Sequence, residues 1–464
     1  MKWRNIILLF LCIAGLFYTA RIPGSVRTSA NHVKADVPVR KVTENQNPAP
    51  KENNPDGSGQ NTENAMVIPE NQNTVDTDTG GDNKSVPEQT IRVLIKTQDF
   101  SGEYHPDATL ICNSNTTAQD GQVSFQAGET IHLDNASGLF DSEGALKLIP
   151  EDENAGFTIT SIKREQGIPT YEGKLEIYRS GEGLLLINVL SLETYLKYVV
   201  PSEMPASYET EALKAQSVCA RTYALKQIQK GSLPQMHADV DDSVSFQVYN
   251  NIPRQNSTDQ AVDSTKNLVM MYNGEPITAY FFSTSSGSTS TNEVWDENPE
   301  QYLQCVNTGD LESSEPWFRW NVTLPIDYLN NQIAKYEIGT LQGIMILKKS
   351  AGGAVDELKL VGSQGEKTLD SEYTIRQVFS TEGIPVNRQD GTTTTEMNLM
   401  PSAYFTCTPI YEENQVTGYH FEGGGYGHGV GMSQNGANHL AAQGKTWQEI
   451  LSYFYKEIDL CPIV

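Results

Sequence analysis

Five residues, Pro201-Ser202-Glu203-Met204-Pro205, set one carboxylate between two prolines. Proline fixes its own φ and drives the preceding residue away from the helical region, so both flanks of Glu203 are stiff. A carboxyl group fixed at a strand-to-helix corner is pre-positioned for general acid/base chemistry. The same five residues would also suit a corner whose Glu caps the next helix or pairs with a cation. A second loaded run, Gly423 to Gln434, interleaves glycines with Tyr426, His428 and Ser433. Glycines let the backbone approach a ligand closely, which predicts a bend that gathers Tyr426, His428, Ser433 and Gln434 in one pocket. A tight packing turn is the competing reading, above all for His428. No register gives the dinucleotide fingerprint G-x-G-x-x-G, because Val430 and Met432 stand where its third glycine would fall. A third run, Ala279 to Ser290, ends an apolar strand in a hydroxyl-rich loop containing Ser283 and Thr284. Such a loop suits carbohydrate hydroxyls or a plain Ser/Thr turn. No nucleophile elbow surrounds its serines, which disfavours a serine hydrolase.

The elements that must position these groups follow from pattern. Tyr171 to Tyr178 and Gly183 to Val189 read as paired strands across a turn at 179–182. After the corner, Glu209 to Gln229 carries Ala212, Ala215, Val218, Cys219, Thr222 and Leu225 at helical spacing, so a long amphipathic helix packs on a core there. Lys214, Ser217 and Arg221 form a polar stripe beside that face; its cations could serve an anionic partner or be solvated. Short alternating segments from Ile91 to Thr160 argue a β-rich unit, and Ser433 to Gly444 and Trp447 to Tyr455 read as helices. The fold class is therefore α+β, a β-rich body of several subdomains. We divide it into a β-rich part at 91–185, a catalytic core at 186–309, an inserted subdomain at 310–395 and the glycine run with terminal helices at 396–464.

The amino terminus has Lys2 and Arg4 before an apolar run from Ile6 to about Ala20. That is an export signal, and the lack of a good cleavage site favours an uncleaved signal anchor over residues 1–20. Residues 21–90, rich in Asn, Gln, Thr, Asp, Glu and Pro, read as a disordered tether. The body is then expected outside the cytoplasm, on a single-pass membrane protein, or secreted if the signal is cut. Up to residue 90 there are 9 Lys and Arg against 10 Asp and Glu, leaving about −24 of the net charge of −25 in the body. Such a surface excludes nucleic acid as a natural partner. The six cysteines include no C-x-x-C pair, so a zinc ribbon is not expected.

Three separated runs resemble the SpoIID/LytB family, the stage II sporulation protein D group of peptidoglycan lytic transglycosylases. They are Asn188 to Pro205, Glu211 to Leu225 and Tyr426 to Ala437, in that order. The resemblance implies that Glu203 is the catalytic acid and that Arg221 is the functionally implicated helix cation. Lys214, Ser283, Thr284, Tyr426, His428, Ser433 and Gln434 complete the expected substrate-binding set. It implies peptidoglycan glycan strands as substrate, 1,6-anhydromuramic products, and other cell-wall hydrolases as partners. It also allows a non-catalytic glycan-binding module that localises or activates an amidase, although the retained Glu203 weighs against that alternative. For the acid step, a raised pKa at Glu203 is expected, with Met204 and Tyr208 as pocket walls. Two departures stand out. The loop from Phe282 to Ser288 lacks the family's histidine and paired glycines, and His237 to Tyr249 has no cysteine, so neither metal nor cofactor is expected.

Overall fold

The computed structural model describes residues 88–118, 121–295 and 298–463. The expected anchor and all but the last residues of the tether lie outside them. Among the described residues no helix is long and apolar enough to cross a membrane. The chain is α+β and rich in strands, with seven α-helices among the described residues.

The nine-residue strand Gly183–Ser191 organises the first half. It pairs antiparallel with Thr90–Ile95 on one side and with Lys174–Ser180 on the other, inside a seven-stranded sheet. The tight turn is Gly181-Glu182, flanked by the paired residues Ser180 and Gly183. Ser191 ends this strand and caps helix α1 (Leu192–Glu203), its Oγ accepting from the Thr194 N–H at 3.1 Å. The cap satisfies one of the orphan donors that every helix start leaves.

Helix α1 corrects one expectation. Glu203 is not at a strand-to-helix corner; it is the last residue of a helix, and Pro201 lies inside that helix. A proline in the final turn removes one hydrogen bond but does not prevent the turn from closing. Pro205 is the true stop: it holds Met204 extended, at φ −134° and ψ 134°, so the helix ends on Glu203.

Helix α2 (Thr210–Lys230) closes at Gly231, which adopts the left-handed conformation at φ 59°. Its small residues let it lie between two cores. Ala220 and Ala224 pack with Leu186, Leu190, Leu196 and Val199. Ala212, Ala215, Val218 and Cys219 pack with Val430, Met432, Phe454 and Tyr455. The expected polar stripe is consequently not a solvated face, since Ser217 and Arg221 are both fully buried. Helices α3 (Asn256–Ser264), α6 (Gln434–Ala442) and α7 (Trp447–Phe454) pack around it.

A third core belongs to a five-stranded sheet in which Trp320–Pro325 pairs with Gln415–Gly423, which pairs in turn with Phe405–Glu412. This sheet joins chain on both sides of residue 395. Helices α4 (Ile326–Ile333) and α5 (Glu372–Val378) and a three-stranded sheet at 341–370 complete it around Val322, Phe379 and Phe421. The two-residue strand Phe281–Phe282 runs parallel to Met432–Ser433, bringing the hydroxyl-rich loop beside the glycine run.

Candidate active site

Glu203 is 5% exposed and is held both at its carboxylate and at its backbone. Its Oε1 accepts from the Val248 N–H at 2.7 Å, and its backbone carbonyl accepts from Gln434 Nε2 at 3.1 Å. The donor is itself anchored. Asp242 forms a buried ion pair with Arg164 at 2.6 Å, its Oδ1 accepts from the Lys96 N–H at 3.0 Å, and its carbonyl accepts from the Tyr249 N–H. Burial pushes the Asp242 carboxyl up to about 6, with the Arg164 cation opposing the rise. Gln247 donates to the Ala220 carbonyl of α2 and accepts from Tyr195 of α1. The segment from Asp242 to Tyr249 is thereby clamped between the two helices and presents one N–H to one carboxylate.

A cleft of about 260 Å³ opens beside this point, lined by Phe100, Ser202, Val244, Val248, Asn251 and Ile252 among others. Ser202 precedes Glu203 in the chain and Val248 holds its carboxylate, so the acid stands directly behind the cleft wall. Asn251 also borders a second hollow of about 410 Å³, which carries Arg164, Tyr198, Asn250 and Arg254.

The structure brings several expected residues together. Gln434 reaches the end of α1 as described. Ser433 caps α6, accepting from the Gly436 N–H, and donates to Glu312 Oε2 at 2.7 Å. The Ser283 carbonyl accepts from the Asn435 N–H at 3.0 Å. Thr284 and Tyr426 exchange backbone hydrogen bonds, and Asn435 Nδ2 donates to Thr284 Oγ1 at 2.9 Å. Tyr208 donates to Asn435 Oδ1, so the chain just beyond Glu203 is tied to both the hydroxyl loop and α6. Tyr426 itself is buried and stacked on Trp317 at 4.8 Å.

Other expected residues lie elsewhere. Arg221 is fully buried, and its Nε and Nη2 grip Glu193 at 2.8 and 2.7 Å while Nη1 and Nη2 reach the Leu268 and Val262 carbonyls. Glu193 begins α1 and Glu203 ends it, about 15 Å apart at 1.5 Å per residue. Arg221 therefore holds α1, α2 and α3 together and makes no wall of the cleft. Lys214 pairs with Glu211 at 2.7 Å, and Glu211 also accepts from the Trp447 N–H. His428 is enclosed by Tyr280, Phe282 and Trp295, with its Nδ1 accepting from the Val430 N–H at 3.1 Å. Burial, aided by the Arg376 cation, lowers its pKa to about 3, so it stays neutral at ordinary pH. Met204 is no pocket wall either, being 1% exposed in the second core.

Sequence reasoning missed Glu312. This fully buried carboxyl accepts from the Ser285 N–H at 2.9 Å, and the hydroxyls of Ser285 and Ser433 lie at 2.6 and 2.7 Å. Burial raises its pKa to about 7 against the pull of those bonds. Nothing in the polar stretch around residue 312 marked it. Sequence reasoning also passed over Asp242, whose ion pair with Arg164, 78 residues away, leaves no mark on local pattern.

Glu203 thus ends a clamped helix beside a cleft that Phe100, Asn251 and the carboxylates Asp99 and Glu165 also line. Residues 180–272 match the family described as Stage II sporulation protein, and 306–431 match a domain of unknown function (DUF8618). The chain is 30% identical over 328 residues to a Stage II sporulation protein D of Bacillus subtilis, covering 66% of this chain and 84% of that protein. It is 32% identical over 344 residues to an uncharacterized protein of Brachyspira hyodysenteriae, covering 73% and 84%. It is also 32% identical over 289 residues to a Bacillus subtilis protein named Amidase enhancer, of which it spans only 39%. The chain belongs to the stage II sporulation protein D family.

Proposed function

We propose that this protein is a peptidoglycan lytic transglycosylase, cleaving the MurNAc–GlcNAc linkage to leave 1,6-anhydromuramic ends. The observation that carries the reading is Glu203, held at the end of α1 by the Val248 N–H and by Gln434, directly behind a cleft of about 260 Å³. One carboxyl group suffices for this reaction. As an acid, Glu203 protonates the glycosidic oxygen; as a base, it then accepts the proton of the muramic C6 hydroxyl, whose oxygen closes the anhydro ring. Because that nucleophile is intramolecular, the second carboxylate of ordinary glycoside hydrolysis has no task. This reading requires the wall at Ser202 and Val248 to part from the carboxyl when substrate enters. The apolar run at residues 1–20 serves as a membrane anchor in this reading, with the body on the extracytoplasmic side and a role in sporulation.

Incubating the full-length protein with purified glycan strands tests this. Mass spectrometry should find anhydro ends, not reducing ends. A second reading, a non-catalytic glycan-binding module that stimulates a wall amidase, is favoured by the similarity to the Amidase enhancer and by the near-complete burial of Glu203. Glycan binding without any new ends, together with faster amidase turnover, would decide for it.

A further inference from the structure

Glu312 is a fully buried carboxyl that the proposed chemistry leaves unused, and it sits where the hydroxyl-rich loop meets α6. Its Oε1 lies 2.6 Å from the Ser285 hydroxyl, and its Oε2 accepts from the Ser285 N–H at 2.9 Å and from the Ser433 hydroxyl at 2.7 Å. The fold leaves room for it: a Cβ at Gly436, in the first turn of α6, would come within 2.9 Å of Oε1. Two routes lead from this carboxyl to Glu203. On one, Ser433 caps α6 and its neighbour Gln434 holds the Glu203 carbonyl. On the other, Ser285 follows Thr284, which accepts from Asn435, and Asn435 accepts in turn from Tyr208, just beyond the end of α1.

The charge state of this carboxyl matters because no strong cation matches it. Among the described residues no lysine or arginine pairs with Glu312; its partners are two hydroxyls and one N–H. The titratable groups that face it are His439 of α6, Tyr453 of α7, Tyr208 beyond α1 and Glu315 of its own turn. A charged His439 would favour the ionised form, but that ring is paired with Glu315 at 2.8 Å. In the acid form, the Glu312 O–H donates to Ser285 Oγ, whose own hydroxyl turns to Thr308 Oγ1 at 2.7 Å. As a carboxylate, the group keeps its donors but buries a charge that dipoles match only in part, a cost relieved by water entering between loop and helix. Burial raises its pKa to about 7, so both forms occur around neutrality. We infer that Glu312 in its acid form is the positioning residue that ties the hydroxyl-rich loop to α6 and so sets the end of α1 at Glu203, and that its ionisation loosens the tie. The inference rests on the reading of Glu203 as the acid and adds a pH-dependent control of that same site.

The test compares full-length wild type with Glu312→Gln between pH 6 and 8. Gln reproduces the acid form: its oxygen accepts from the Ser285 N–H and from Ser433, and its amide donates to Ser285. The ratio of wild-type to variant rates of anhydromuramic end formation on purified glycan strands should fall roughly three- to tenfold over that range, as a group near 7 loses its proton. The same fall should persist in a His439→Gln background. Hydrogen exchange read by mass spectrometry over residues 283–288 should rise with pH in the wild type relative to Glu312→Gln at the same pH. If the protein forms no anhydro ends, that rise alone supports the positioning role while the catalytic reading falls, and its absence overturns the role as well. If anhydro ends form, a rate ratio that stays constant overturns the inference and leaves the catalytic reading standing. A fall that vanishes in the His439→Gln background overturns it too, by assigning the titration to His439.

Discussion

The end of α1 and the glycine run from Gly423 to Gln434 are equally dense in residues capable of chemistry, but the fold uses them differently. At the helix end, one carboxylate stands behind a cleft wall, its own position set by a backbone N–H. In the glycine run, the side chains are taken up by packing: Tyr426 on Trp317, His428 among three aromatic rings, and Ser433 as a helix cap. Its glycines serve close approach. Gly431 sits at φ 78°, and a Cβ there would lie 2.0 Å from the Tyr280 carbonyl. Dense motifs thus mark two kinds of need, a group to be presented and a backbone to be brought near, and residue type alone does not separate them.

The strongest way to break this contrast is Arg221→Ala. Leaving Glu193 buried without its partner should cost about 3–5 kcal/mol of stability, read by denaturant unfolding, and Arg221→Met with Glu193→Leu should recover most of it. A variant of full stability with lost glycan affinity would instead return Arg221 to the substrate. Next comes Gly431→Ala, expected to destabilise by about 1–3 kcal/mol because both the backbone conformation and the space oppose a side chain. A wild-type melting curve would contradict the packing role.

A sharper pair uses pH. Glu312 has its folded pKa raised from 4.5 to about 7, so the folded state holds a proton that the unfolded state has lost; its contribution is full below about 4.5 and disappears as pH rises to 7. His428 has its folded pKa lowered from 6.5 to about 3, so stability is lost as pH falls through that window. Thermal unfolding from pH 3 to 8 should show Glu312→Gln gaining on the wild type between pH 4.5 and 7, with no such trend for His428→Gln, whose relative loss should ease towards acid. A His428 ring that titrates near 6.5 by NMR would show that the glycine run is open to water. The smallest effect belongs to Lys214→Ala. A partly exposed pair with Glu211 should be worth under about 0.5 kcal/mol, with glycan affinity unchanged.

Local pattern made much of the frame legible. The hairpin at 174–191, helix α2 and helices α6 and α7 follow from alternation, helical spacing and turn residues that act within a few positions of themselves. Glu203 was legible as a fixed carboxylate, although Pro201 was read as a break when the helix absorbs it and stops at Pro205. The remainder depended on contacts distant in sequence. Arg221 looks like a surface cation until α3 and Glu193 close over it, and Glu312 gains its role from serines 27 residues before it and 121 after it. The Val248 N–H that holds Glu203 carries no side-chain signature at all.

The most direct test of the central claim is the rate of anhydromuramic end formation by full-length Glu203→Gln, measured beside the wild type on the same glycan strands. Gln keeps the size of the side chain and can still accept from Val248, so circular dichroism and melting should match. The account predicts a fall of about 10²-fold or more with glycan binding retained, since positioned acid/base groups contribute roughly 10²–10⁴. A variant that forms anhydro ends at the wild-type rate would show that the acid lies elsewhere.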